Sequence, residues 1–172
     1  MNTLARSRSR RCLLATALCL FALLPSRSSP AQSDPTLGSK AAQKLARELF
    51  REVIEINTTA NVGSTRAAEA MAARLRQAGF APADLVLTGP TPQNQNLVIR
   101  YRGRGAGRPI LFIAHLDVVE ALASDWSFDP FVFREQDGFF YGRGTTDMKC
   151  EVADIVANLI RLRREGYVPA RD

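Results

Sequence analysis

The sequence is poor in cysteine and in histidine: its 172 residues include three cysteines and one histidine. Cys12 and Cys19 lie within residues 1–31, a predicted signal peptide. Cys150 would then be the only cysteine of the mature chain, so no internal disulfide could form there. This excludes a small scaffold held together by disulfides. For an exported protein, the same lack of disulfides favours a bacterial periplasm or the cell exterior.

The N-terminal apolar run is too short for an ordinary membrane span. It covers the thirteen residues Cys12–Leu24, whereas a spanning helix needs about 20. Basic residues precede the run, and the small-x-small triplet Ser29-Pro30-Ala31 follows it, which is typical of a secretory signal peptide. The sequence therefore predicts a signal peptide over residues 1–31 and a secreted or periplasmic protein, with an uncleaved anchor as the alternative. The basic residues are Arg6, Arg8, Arg10 and Arg11.

The mature chain also lacks an excess of positive charge. Residues 1–31 hold five of the 23 Lys and Arg residues and none of the 17 Asp and Glu residues, so the remainder has a net charge of +1. The basic composition of the whole chain thus gives no ground for nucleic-acid binding. After cleavage of the signal peptide, we expect no membrane contact either.

The remaining residues have the patterns of a mixed α/β domain. Residues 32–38 form a predicted flexible leader, and residues 39–172 are long enough for one hydrophobic core. Apolar residues at helical spacing predict a helix from Lys40, a second helix capped by Ser64 or Thr65 and stopped by Gly79, and a final helix after Asp147. The predicted buried stripe of the final helix consists of Val152, Ile155, Val156, Leu159 and Leu162.

Strand patterns occupy the middle of the sequence. They cover Asp84–Thr88, Asn96–Tyr101 and Ile110–Ala114, and Asp137-Gly138 marks a hairpin between two aromatic segments. The glycines of residues 103–107 precede a strand pattern rather than a helix, so they indicate a connection and not a dinucleotide-binding loop. Helices followed by strands and then by a helix predict an α/β/α sandwich with a central mixed sheet.

Two short motifs carry the candidate chemistry. The apolar run Ile110–Ala114 ends in His115-Leu116-Asp117, and strand alternation places His115 and Asp117 on one face. An imidazole with a neighbouring carboxylate suits a metal ligand whose ring is oriented by a second group. The second motif is the glycine-punctuated loop of residues 142–149, which brings Asp147 to the start of the final helix.

Together, in this order and spacing, the motifs resemble the M20 family of zinc-dependent peptidases and amidohydrolases. The resemblance is densest over Ile110–Lys149. It implies a dinuclear zinc site in which His115 binds one zinc and Asp147 bridges both. It also implies that Asp117 is the catalytic residue of the site and orients the His115 ring. Such a pair of ions lowers the pKa of a shared water. The resemblance also implies that His115 and Asp147 lie close together and that the Asp147–Met148 peptide is cis.

Other residues of the family site have no counterpart here. The family has a Glu-Glu pair, of which the first is the general base, a further acidic ligand, a second ligand histidine, and a lid and dimerisation domain. Because His115 is the only histidine, we expect an N-terminal part of the catalytic domain that is inactive alone and could form a homodimer only with the missing lid. The predicted function is metal-dependent hydrolysis of peptide or N-acyl-amino-acid amide bonds. The alternative is a non-catalytic fragment or binding module that keeps only the fold.

Several neighbouring residues admit two interpretations. The segment of residues 125–131, DWSFDPF, could contact substrate or could serve packing and turn formation. Arg143 and Lys149 could be catalytic or could fix the loop. Cys150 could be a reactive thiol, because helix N-termini lower thiol pKa values, or a small buried side chain.

Overall fold

The computed structural model describes residues 38–105 and 107–172. The predicted signal peptide, with the leader up to residue 37, lies outside the described residues. Three helices and two hairpins form in chain order: α1 (Lys40–Ile54), α2 (Thr65–Gln77), β1 (Leu85–Thr91), β2 (Asn94–Ile99), β3 (Arg134–Gln136), β4 (Phe139–Tyr141) and α3 (Lys149–Arg164). None of these helices is long and apolar enough to cross a membrane.

The core forms where the three helices meet. Ser39 starts α1, and its Oγ accepts a hydrogen bond from the backbone N–H of Ala42 at 3.2 Å, which satisfies one of the free N–H groups of the first turn. The last two turns of α1 bury their apolar face and pack mainly against α3. The buried residues contributed by α1 are Leu49, Phe50, Val53 and Ile54, and Met71 and Leu75 of α2 join the same cluster.

The start of α2 is tied to the first hairpin. Ser64 occupies the N-cap position as predicted, but its side chain does not cap the helix. Its hydroxyl instead donates to the carbonyl of Gln95 at 3.1 Å, and the Thr65 hydroxyl donates to the carbonyl of Pro92 at 2.7 Å. These bonds fix α2 against the β1–β2 hairpin.

The buried stripe of α3 differs from the predicted one. Val152 and Val156 are buried as expected, whereas Ile155, Leu159 and Leu162 are only partly buried. The core-facing side is completed by Ala153, Ala157 and Ile160. The prediction favoured the largest side chains, but two alanines occupy the buried face.

The predicted central mixed sheet is wrong for the described residues. Both sheets are two-stranded and antiparallel, with β1 paired to β2 and β3 to β4. The Asp137-Gly138 hairpin is confirmed, because these residues connect β3 to β4 and both have positive φ.

The segment Ile110–Ala114 is not a buried strand in this structure. Residues Ile110–Ile113 are 59–79% exposed. In the segment Ile110–Ala114, only the N–H of Ile110 forms a backbone hydrogen bond within the described residues. Its partner is the carbonyl of Asp172, at 2.9 Å. A continuous apolar strand is buried only when neighbouring strands and helices cover both its faces, and no described segment pairs along Leu111–Ala114. The sequence pattern identified an apolar segment correctly, but no strand pairing covers it within the described residues.

Candidate metal-binding site

His115 lies directly after the exposed apolar segment, and its ring contacts Asp117. Nδ1 of His115 lies 2.9 Å from the backbone carbonyl oxygen of Asp117. The carboxylate Oδ1 of Asp117 is farther from the same nitrogen, at 3.5 Å, and its side chain is largely exposed. The main-chain carbonyl of Asp117 thus makes the shorter contact with the ring, and the orienting role of the carboxylate stays a prediction.

Asp147 reaches the other side of the same ring. Its Oδ1 lies 2.8 Å from Nε2 of His115, although 32 residues separate the two positions. The loop that carries Asp147 turns through Gly142 and Gly144, both with positive φ, and its Asp147–Met148 peptide is cis. The predicted proximity of His115 to Asp147 and the predicted cis peptide are both found. The roles of these residues in binding metal stay predictions.

The two contacts define the protonation of the imidazole. A carbonyl oxygen can only accept a hydrogen bond, so Nδ1 facing Asp117 carries a proton. Nε2 is then the nitrogen whose lone pair is available to a metal ion, an arrangement common among metal-binding histidines. Partial burial acts to lower the pKa of His115, but the hydrogen bonds with Asp147 and Asp117 outweigh it and raise the pKa above its ordinary value. In the metal-free chain, Asp147 therefore favours a proton on Nε2.

The donors present are fewer than a zinc site needs. Within residues 38–105 and 107–172, no group of three or more His, Cys, Asp or Glu residues could hold a metal ion. The site offers the imidazole of His115 and the carboxylate of Asp147 in contact, whereas zinc in proteins is usually four-coordinate. These residues therefore do not form a complete metal site by themselves.

Lys149 and Arg143 make contacts that fix the loop. The fully buried Lys149 donates from Nζ to the carbonyl of Ile56 at 2.7 Å. Arg143 donates from Nη2 to the carbonyl of Glu120 at 3.2 Å, and its guanidinium lies over the Trp126 ring, 5.3 Å from the centroid. No hydrogen bond of either side chain goes to His115 or Asp147. The structure thus favours the loop-fixing interpretation.

The segment of residues 125–131 has local contacts of its own. Oδ1 of Asp129 accepts the backbone N–H of Phe131 at 2.8 Å, as in a turn. Trp126 packs edge-on against Phe128, with ring centroids 5.7 Å apart. These contacts account for the residue types through packing and turn formation.

Cys150 is not an activated thiol. Burial, followed by the hydrogen bond to the Glu151 carboxylate, raises its pKa to about 11. The neighbouring carboxylate thus opposes any effect of the helix N-terminus on the thiol. The reactive-thiol interpretation is not supported.

Sequence reasoning missed Thr58, which contacts the backbone on both sides of Asp117. Its hydroxyl donates to the carbonyl of Leu116 at 2.7 Å, and its carbonyl accepts the N–H of Val118 at 3.2 Å. The only available signal was a pair of threonines after a helix end, a pattern that usually marks a turn.

Comparison with known proteins identifies relatives over much of the chain. Residues 111–172 match the sequence profile of peptidase family M20/M25/M40. A succinyl-diaminopimelate desuccinylase from Methylocella silvestris is 39% identical over 127 residues, which is 73% of this chain and 31% of the relative. One from Parvibaculum lavamentivorans is 46% identical over 79 residues, 45% of this chain and 19% of the relative. The chain thus spans less than a third of the length of these relatives.

Among solved structures, human carnosine dipeptidase 1 superposes with a TM-score of 0.47 at 20% identity, covering 75% of this chain and 32% of that one. This likeness is too low to support a functional argument. The family match includes His115, Asp117 and Asp147, the residues that the structure brings together. Over residues 111–172, the sequence of the chain thus matches that of the M20 family of peptidases.

Proposed function

We propose that this chain contributes part of the metal site of an M20-type hydrolase that cleaves N-acyl-amino-acid or peptide amide bonds. The observation that carries the proposal is the 2.8 Å contact between His115 Nε2 and Asp147 Oδ1. Two metal-ligating groups from distant parts of the sequence converge there, in a region that matches the family. The relatives are named for removing a succinyl group from diaminopimelate, which supports an N-acyl amino acid as the substrate class.

Each residue has a proposed role in the complete site. His115 would hold a metal ion through Nε2, the Asp147 carboxylate would be a ligand shared by a pair of ions, and Asp117 would position the His115 ring mainly through its carbonyl. We propose zinc as the metal because imidazole and carboxylate are both accepted zinc ligands. The remaining ligands and the general base must come from groups outside this set. On its own the chain is therefore proposed to be inactive.

An activity assay with a matched variant tests this proposal. Purified chain incubated with zinc should not hydrolyse N-succinyl amino acids or dipeptides faster than an equal amount of His115→Ala. We expect this because only two candidate metal ligands lie in contact, whereas a zinc ion in a protein usually has four ligands. Turnover by the unaltered chain that His115→Ala abolishes would show that a complete catalytic set is present.

Metal analysis separates this proposal from the alternative of a binding module that retains only the fold. A partial site should bind zinc weakly and lose that binding in both His115→Ala and Asp147→Ala. A module without the site should show the same residual binding before and after these substitutions. Tight retention of two zinc ions per chain would instead contradict the incomplete donor set.

We also propose that the protein is exported, with residues 1–31 removed. The support is the succession of basic residues, an apolar run and Ser29-Pro30-Ala31. Mass spectrometry of protein from the periplasm or medium is expected to find an N-terminus at or near Gln32. Recovery of the protein with Met1 or Leu13 intact would contradict this prediction.

A further inference from the structure

The connection after α1 contains two buried threonines. It consists of residues Ile56–Thr59, here called the α1–α2 brace. Thr58 is fully buried and Thr59 is 3% exposed. Buried polar groups are stable only when they are hydrogen-bonded, so the partners of this segment indicate what it holds in place.

One set of partners surrounds Asp117. The Thr58 hydroxyl donates to the carbonyl of Leu116, at 2.7 Å, and the Thr58 carbonyl accepts the N–H of Val118, at 3.2 Å. Between Leu111 and Val118, these are the only hydrogen bonds that join the backbone to another part of the described chain. The placement of His115 and Asp117 therefore depends on Thr58 more than on any sheet.

The other partner lies beside Asp147. Lys149 donates from Nζ to the carbonyl of Ile56 at 2.7 Å, and its own N–H donates to the carbonyl of Gly144 at 3.0 Å. Two residues of the same four-residue segment thus hold the two sequence-distant parts of the site. A β-carbon at Gly144 would lie 2.8 Å from Cγ1 of Val118, so the Asp147 loop also packs directly against the segment that Thr58 holds.

We propose that Thr58 is a positioning residue: through the α1–α2 brace it holds His115 where Asp147 can contact it. The hydroxyl fixes the carbonyl that precedes Asp117, and the Thr58 carbonyl fixes the N–H that follows it. Asp117 in turn presents its own carbonyl to Nδ1 of His115. The inference rests on the proposed metal site for its functional meaning, but its geometry can be tested without metal.

Two variants at Thr58 separate the hydroxyl from the side-chain shape. Thr58→Val keeps the branched shape and removes the donor, whereas Thr58→Ser keeps the donor. Thr65→Val is the matched control, because the Thr65 hydroxyl also donates to a carbonyl at 2.7 Å, but at the start of α2. The readouts are the NMR signals of the His115 ring, the only imidazole in the chain, and hydrogen exchange of the Val118 amide.

We expect Thr58→Val to shift the His115 ring signals and to speed Val118 exchange on the order of tenfold, the effect of losing about one hydrogen bond. Thr58→Ser should restore both readouts, and Thr65→Val should leave both as in the unaltered chain. The proposal would be overturned if Thr58→Val lowered the stability of the chain but left the His115 ring signals unchanged. Thr58 would then have only a structural role.

A further measurement needs no variant and remains decisive if Thr58→Val does not fold. Among the described residues, the amides of Leu111 and Phe112 have no hydrogen-bond partner. In the unaltered chain the Val118 amide should exchange much more slowly than these two amides. Equal exchange rates would contradict the proposed role of Thr58. This outcome is distinct from failure of the proposed function. If Thr58→Val gives the expected changes but the unaltered chain binds no metal, the positioning role stands and the proposed function fails. If Thr58→Val binds metal as the unaltered chain does, only the positioning role is refuted.

Discussion

Lys149→Met is expected to remove a large pH dependence from the stability of this chain. Burial lowers the pKa of Lys149 from 10.5 to about 8, and the side chain is fully buried. Between these two pH values the unfolded chain binds more protons at this residue than the folded chain does. The free energy of unfolding therefore rises as the pH rises from about 8 to about 10.5. The difference of about 2.5 pKa units corresponds to at most about 3 kcal/mol.

Urea unfolding at pH 7 and pH 10.5 measures this effect. The unaltered chain should gain stability relative to Lys149→Met between the two pH values. Lys44→Met is the control, since Lys44 lies on the surface of α1 and pairs with Glu48; it should follow the unaltered chain. Parallel pH profiles for the unaltered chain and Lys149→Met would show that Lys149 is not buried as described.

Gly144→Ala is expected to destabilise the chain by about 2–5 kcal/mol. Gly144 has φ of +88°, and a β-carbon there would lie 2.8 Å from Cγ1 of Val118 and 3.1 Å from Cδ of Lys149. The left-handed backbone costs a non-glycine residue about 1–2 kcal/mol, and overpacking adds about 1–3 kcal/mol. The new methyl group would press on the neighbour of Asp117 and on the lysine next to Met148.

Gly138→Ala is the matched control for this substitution. Gly138 has a similar φ of +81°, but a β-carbon there meets nothing within 4 Å. Its substitution should therefore cost only the backbone component of about 1–2 kcal/mol. Chemical denaturation of both variants gives the comparison, and equal losses of stability would contradict the close approach of the Asp147 loop to Val118.

The sequence was most informative where local chemistry decides the structure. Helical periodicity placed α1 and α2, Asp137-Gly138 marked a hairpin, and the resemblance of the two motifs to a family linked His115 to Asp147. The sequence was least informative where contacts between distant segments determine the structure. The apolar pattern of Ile110–Ala114 specifies a segment suited to burial but cannot specify which segments cover it.

Main-chain contacts account for what the sequence could not indicate in the site. The ring of His115 contacts the carbonyl of Asp117 more closely than the carboxylate, and every residue type has such a carbonyl. Thr58 likewise acts on backbone groups of Leu116 and Val118. These bonds involve main-chain groups that every residue type has, so they cannot be predicted from the pattern of side chains and are visible only in the fold.

The central claim, that His115 and Asp147 share one site, is tested most directly by an NMR titration of His115. As the only imidazole in the chain, it gives an unambiguous signal. Partial burial opposes protonation, but the bonds to Asp147 and Asp117 raise the pKa above 6.5. The raised pKa means that this contact stabilises the metal-free fold below the unfolded-state pKa, and that the stabilisation is lost as the pH rises through the folded-state pKa.

We predict that Asp147→Asn lowers the pKa of His115 clearly, since an amide cannot balance the imidazolium charge. Asp117→Asn should lower it less, because the carbonyl that contacts Nδ1 is retained. A His115 pKa in the unaltered chain that stays above 6.5 and falls in Asp147→Asn would support the shared site. A pKa that does not change in Asp147→Asn would contradict it.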